Sequence, residues 1–142
     1  MDQAEITRVQ AYLRRVLGAP NIAVKAKGAD EADVLVGSAK VADMTKDDDE
    51  GELSYFFNMG VARAKGAARN APLDASERVR LEALLRNALG APGLEVRQRP
   101  RKTDSAEVYV ADEFIGTLSA DDAPGEIGYY LTMSILDIDL DG

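Results

Sequence analysis

The chain states one pattern twice. Residues Asp2 to Lys65 recur, diverged, as Asp74 to Asp139, with the tetrapeptide LGAP at Leu17 to Pro20 and again at Leu89 to Pro92. An offset of 72 places Glu5, Arg8, Leu13, Arg14 and Val24 on Glu77, Arg80, Leu85, Arg86 and Val96. After a two-residue insertion the offset is 74, and Val34, Val36, Tyr55 and Met59 fall on Val108, Val110, Tyr129 and Met133. A unit this short buries too little surface to stand alone, so the copies are expected to complete each other's core. The organisation is therefore a first repeat over residues 1–65, a connecting segment over 66–73 and a second repeat over 74–142, with one core shared between the repeats.

Each repeat opens with a helix whose ends are marked. Asp2 with Glu5, and Asp74 with Glu77, have the capping-box spacing, in which the first side chain takes a free backbone N–H and the second reaches back. Gly18 and Gly90 suit left-handed C-caps, and Pro20 and Pro92 forbid continuation. The apolar stripes Ile6, Val9, Leu13, Val16, Leu17 and Leu81, Leu84, Leu85, Ala88, Leu89 have helical spacing and face a core.

The period then changes to two. Ile22, Val24 and Ala26 alternate with Ala23, Lys25 and Lys27, as Leu94 and Val96 alternate with Glu95 and Arg97, which reads as a strand with one charged face. Further strands follow near Ala32 to Val36 and Lys40 to Met44, and near Ala106 to Val110 and Phe114 to Leu118. Acidic loops lead into two long strands with inward sets Leu53, Tyr55, Phe57, Met59, Val61 and Ile127, Tyr129, Leu131, Met133, Ile135. Past Ile135 the alternation changes phase, so a bulge or bend is expected, and Leu136, Ile138 and Leu140 are candidates to pair with the other repeat or a second chain. The fold class is α+β: two helix-then-four-strand antiparallel meanders related by a pseudo-twofold, forming one two-layer domain. Whether the repeats share a continuous sheet or pack sheet against helix stays open.

Composition narrows the chemistry. At 46% hydrophobic and 30% charged the chain is globular in character, and it contains no Cys and no His. Thiolate nucleophiles and thiolate metal sites, and the commonest general base and metal ligand, are thus missing. The charge of −8 is uneven, with 10 basic against 11 acidic residues through Ala71 and 7 against 14 from Pro72 onward. Such acidity repels nucleic acid at long range, while a local basic patch can still bind it. Without an apolar run of membrane-spanning length or a basic, apolar leader, the chain reads as cytoplasmic, with no membrane partner.

The second repeat, RPRKTDSAEVYVADEFIGTLSADDAPGEIGYYLTMSILDIDL with the preceding helix and LGAP turn, resembles a family of short alphaproteobacterial proteins, the domain of unknown function numbered 3126. The resemblance covers Glu77 to Leu140 and extends weakly, through the internal alignment, to the first repeat. There Gly28 and Ala29 replace the RPRK run, and Ala39 to Ala42 replace EFIG. It implies a single-repeat ancestor and a bacterial cytoplasmic setting, and carries no activity or site residues with it.

Three constellations remain as candidates for function. Arg97, Arg99, Arg101 and Lys102 are a basic run able to grip phosphates, with the alternative that charge protects an edge strand from aggregation. The acidic loop Asp47, Asp48, Asp49, Glu50, Glu52 and its echo Asp121, Asp122, Glu126 offer oxygen ligands, but the spacing fits no EF-hand, and solvated turns explain them. Phe56 and Tyr130 point away from the inward sets and form a protein-binding patch if no helix covers that face. Asp112 and Glu113 are the most exposed carboxylate pair, at a hairpin tip with nothing to set them over a pocket. The expectation is a non-enzymatic, cofactor-free protein-binding or adaptor module built as a fused pseudo-dimer, using Phe56, Tyr130, Leu136, Ile138 and Leu140 to hold another protein or a second copy. No catalytic or metal-binding residue is assigned. Nucleic-acid binding through Arg97 to Lys102 is the alternative, and a metal-dependent enzyme the third.

Overall fold

The computed structural model describes residues 1–48, 51–62, 73–101, 104–120 and 127–140. In chain order the elements are α1 (Gln3–Leu17), β1 (Ile22–Ala26), β2 (Glu31–Val36), β3 (Ala39–Asp47), β4 (Ser54–Ala62), α2 (Ala75–Leu89), β5 (Leu94–Gln98), β6 (Ser105–Val110), β7 (Glu113–Ala120) and β8 (Ile127–Leu136). A 3-10 turn, Asp137–Asp139, follows β8.

The helices start and stop where their caps require. In α1 the box closes both ways: the Glu5 amide donates to the Asp2 carboxylate at 2.8 Å and the Asp2 amide donates to Glu5 at 3.1 Å. In α2 the Glu77 amide donates to Asp74 at 2.9 Å. Gly18 and Gly90 end the helices at φ 60° and 65°, a conformation that costs other residues a Cβ clash.

All the strands form one antiparallel sheet in the order β1-β2-β3-β4-β8-β7-β6-β5. The open question of the sequence is thereby answered: the repeats share a continuous sheet, joined where β4 lies beside β8. The order is palindromic in repeat terms, and the register is too. Asn58 pairs with Thr132, its own counterpart at the repeat offset, while Tyr55 pairs with Ile135 and Val61 with Tyr129. This is the register that a pseudo-twofold axis between β4 and β8 demands.

Alternation along the two central strands decides the layers. Tyr55, Phe57, Met59 and Val61 pair with Ile135, Met133, Leu131 and Tyr129 on one face, and all eight are buried. Both helices pack on that face, with Ile6, Val9, Leu13 and Leu17 of α1 and Leu81, Leu85 and Leu89 of α2 in the same core. The flanks of each helix fix its seat. On one side of α1 the Val24 amide donates to the Gln10 side chain and Arg14 donates to the Ile22 carbonyl. The second repeat copies both contacts with Glu82 on Val96 and Arg86 on Leu94. On its other side α1 presents Arg8, Tyr12 and Arg15, one helical face, to the second repeat. Arg8 pairs with Asp137 at 3.0 Å and Arg15 donates to the carbonyls of Asp139 and Leu140. A helix about 10–12 Å wide that reaches both edge strand β1 and the far repeat requires the sheet to curl around it.

The expected phase change after Ile135 is real. Leu136 still pairs with Ser54 of the first repeat, then the chain turns through Asp137–Asp139 and the Asp137 amide donates to the Leu53 carbonyl. The ending thus docks on the first repeat.

Candidate functional site

Behind each central strand a tyrosine hydroxyl meets a helix-end glutamate. The Tyr55 hydroxyl donates to Glu5 at 2.8 Å, and the Tyr129 hydroxyl donates to Glu77 at 2.8 Å. Both rings are buried, so each phenol needs a partner. Each glutamate also holds a cation, supplied differently. Lys46 of β3 lies 2.8 Å from Glu5. At the position equivalent to Lys46 the second repeat has Ala120, and there Arg80 turns onto Glu77, donating also to the Ala62 carbonyl at 3.1 Å. Glu5 and Glu77 read from the sequence as caps alone, because the spacing cannot show a tyrosine fifty residues away.

The Lys46 ammonium, the Asp2 amide and the Tyr55 hydroxyl together outweigh burial and hold Glu5 near a pKa of about 2, below its ordinary 4.5. A carboxylate depressed in the folded state stabilises it above the unfolded value, and the contribution is lost as pH falls through the folded value. Between pH 4.5 and about 2 the protein is therefore expected to lose on the order of 1–2 kcal/mol from this network, allowing for solvent screening. Glu5→Gln should flatten that part of a melting-temperature profile; parallel profiles for the two proteins would remove Glu5 from the acid response. This network braces the fold, tying the start of each helix to a central strand.

The opposite face of the sheet has no helix over it among the described residues. Phe56, opposite Ser134, is 42% exposed, and Leu136 at the end of the same strand pair is 41% exposed. Tyr130 faces the same way, opposite Gly60, and is half-buried. Ile138 is 83% exposed on the following turn, whereas Leu140 is 2% exposed and belongs to the core, which takes it out of any docking patch.

The described cations of the basic run have different surroundings. Arg97 of edge strand β5 is 2.6 Å from both Glu95 and Asp112 and stacks on the Tyr109 ring at 4.1 Å. Arg99 donates to the Ser105 hydroxyl, Arg101 sits exposed at a left-handed φ of 62°, and Lys102 lies outside the described residues. Of the acidic loops, Asp47, Asp48 and Glu52 are described; Asp49, Glu50, Asp121, Asp122 and Glu126 lie outside the described residues. Among the described residues no three carboxylates gather as metal ligands would.

Glu113 departs from expectation. It does border a pocket: a cleft of about 740 Å³ lined by Tyr12, Arg15 and Val16 of α1, by the β6–β7 hairpin through Thr117, and by Thr132, Ser134 and Asp139. The wall that completes it comes from the other repeat's helix, which local sequence could not reveal.

A family model described as "Protein of unknown function (DUF3126)" matches residues 5–64 and again 77–139. The chain belongs to this family. It carries two DUF3126 units in tandem, as the internal offset requires, and their boundaries fall on the helix-plus-meander repeats of the fold. No curated protein and no solved structure matches the chain. Among the described residues no helix is long and apolar enough to cross a membrane.

Proposed function

We propose that this two-unit DUF3126 protein is a non-enzymatic binding module that holds another protein, in the cytoplasm, against the uncovered face of its sheet. One observation carries the reading: at the centre of the sheet, where the repeats join, an aromatic and aliphatic surface around Phe56, Tyr130 and Leu136 lies on the side away from both helices. The exposed Phe56 ring and the half-buried Tyr130 ring, beside hydroxyl-bearing neighbours such as Thr132 and Ser134, suit a protein partner, because the rings supply buried area and the hydroxyls supply polar contacts. The first repeat then serves as built-in partner, supplying Phe56, while the second supplies Tyr130 and Leu136.

Replacing Phe56 and Tyr130 together by Asp is expected to abolish capture of the partner in affinity purification from cells, with the circular-dichroism spectrum retained. Two charges at an interface centre cost several kcal/mol of binding, far more than a rim change. An unchanged set of co-purifying proteins would contradict the reading.

A further inference from the structure

The ladder between β7 and β8 stops early. It runs from Ala120–Tyr129 to Thr117–Thr132 and no further, although β7 continues back to Glu113 and β8 on to Leu136. Glu113, Phe114 and Gly116 remain paired to β6 on their other side, with a register shift that leaves Ile115 bulged between them, and Met133 to Leu136 remain paired to β4. Alternate residues of a strand turn their N–H and C=O groups to opposite edges, so each of these stretches aims backbone groups into the opening. Gly116 sits at the fork: a Cβ there would lie 2.6 Å from the Thr132 carbonyl oxygen and 2.9 Å from Met133 Cγ, so at this fork, unlike the first repeat's with Ala42, the close approach needs glycine.

The cleft occupies this fork, and its charged and aromatic lining combines two carboxylates, two rings and one arginine. Tyr12 and the exposed Phe114 offer aromatic surface, and Glu113 and Asp139 offer carboxylates. Arg15, the cation of the lining, is committed to the wall, donating to the Asp139 and Leu140 carbonyls and lying 5.4 Å over the Tyr12 ring. Burial, Asp139 and Glu113 raise the Tyr12 pKa, Arg15 opposing, which places both carboxylates in electrostatic reach of that ring. The first repeat forks at the same step, its ladder ending at Asp43–Asn58. Its residues differ, however: Leu84 and Asn87 stand for Tyr12 and Arg15, and Ala39 and Lys40 for Glu113 and Phe114. The acidic, aromatic lining is therefore particular to one fork.

We infer that this cleft binds a short extended protein segment bearing a lysine or arginine side chain. The segment's backbone lies along the open stretch of β7, and its cationic side chain enters between Glu113, Asp139 and the rings of Tyr12 and Phe114. Strand addition supplies register and affinity, and the carboxylate and ring faces select the cation. The cleft adjoins the Phe56–Tyr130 face and shares Thr132 and Ser134 with it; partner capture by the Phe56 and Tyr130 variant tests that face, and peptide titration with the Glu113 variant tests the cleft.

The probe is a blocked, fluorescein-labelled heptapeptide alternating valine with arginine, titrated with the full-length protein and followed by anisotropy. Saturable binding is expected, with none for the peptide alternating valine with glutamate. Glu113→Lys should weaken binding by about tenfold or more. Glu31→Lys makes the same charge change at an exposed site in the first repeat, and should stay within about twofold of the parent. Phe114→Ala, a truncation at an exposed position, should weaken binding as well. Absence of saturable binding, equal binding of the acidic peptide, or equal weakening by Glu31→Lys and Glu113→Lys would each overturn the inference.

Discussion

Truncating Phe57 to alanine is expected to destabilise the whole protein by about 3–5 kcal/mol. The ring is fully buried on β4, between Met44 on one neighbouring strand and Met133 of the other repeat on the other. Removing it costs the transfer of an aromatic side chain plus the cavity left among partners that two strands hold in place. Since domains of this kind are stable by about 5–15 kcal/mol, the loss consumes much of the total. The melting temperature should fall by about 10–20 °C, in one cooperative transition. A variant that melts the first repeat early and leaves the second untouched would mean that the core is divided between the repeats.

Most of this architecture was legible because local signals and global fold agree. The caps at Asp2, Gly18, Asp74 and Gly90, the helical stripes and the period-two strands each say the same thing twice, whereas the pairing of Asn58 with Thr132 stayed open, because an offset does not say whether the repeats share a sheet. The phase change after Ile135 was legible for the same reason, since a strand cannot face one core with both of its alternating sets. Leu140 shows the limit. Its apolar character fitted an exposed docking strand as well as a core plug, and the choice was made by Arg8 and Arg15 drawing the ending down beside α1.

The candidate sites were less legible because they are built from residues far apart in the chain. Phe56 and Tyr130 could be placed opposite the inward set from alternation alone, but whether a helix covers that face depends on both helices choosing the other. The basic run lost its isolation to Glu95, Asp112 and Tyr109, the last two from a hairpin whose position no local pattern gives. Glu113 gained a pocket because α1, a hundred residues earlier, crosses to the far repeat. Charge compensation followed the same logic: once Ala120 replaces the counterpart of Lys46, Arg80 takes over the glutamate that Lys46 holds in the first repeat.

The largest effect of all is expected from dividing the chain. Each repeat alone would expose one flank of a central strand and half of a core: β4 would lose the partner that pairs it from Ser54 to Ala62, and Tyr55, Phe57, Met59 and Val61 would lose the facing side chains of β8. An open apolar strand edge of this length is unstable in water as a monomer. The palindromic register leaves one escape, in which two copies of the same repeat pair β4 with β4, or β8 with β8, about the same axis. The most direct measurement is therefore to produce residues 1–65 and 74–142 separately and follow each, and their mixture, by circular dichroism and light-scattering mass. Each fragment alone is expected to be unfolded or a dimer, and the mixture to recover a one-to-one complex with the parent spectrum. A fragment that is folded, cooperative and monomeric would contradict the claim that the two repeats make a single sheet and core.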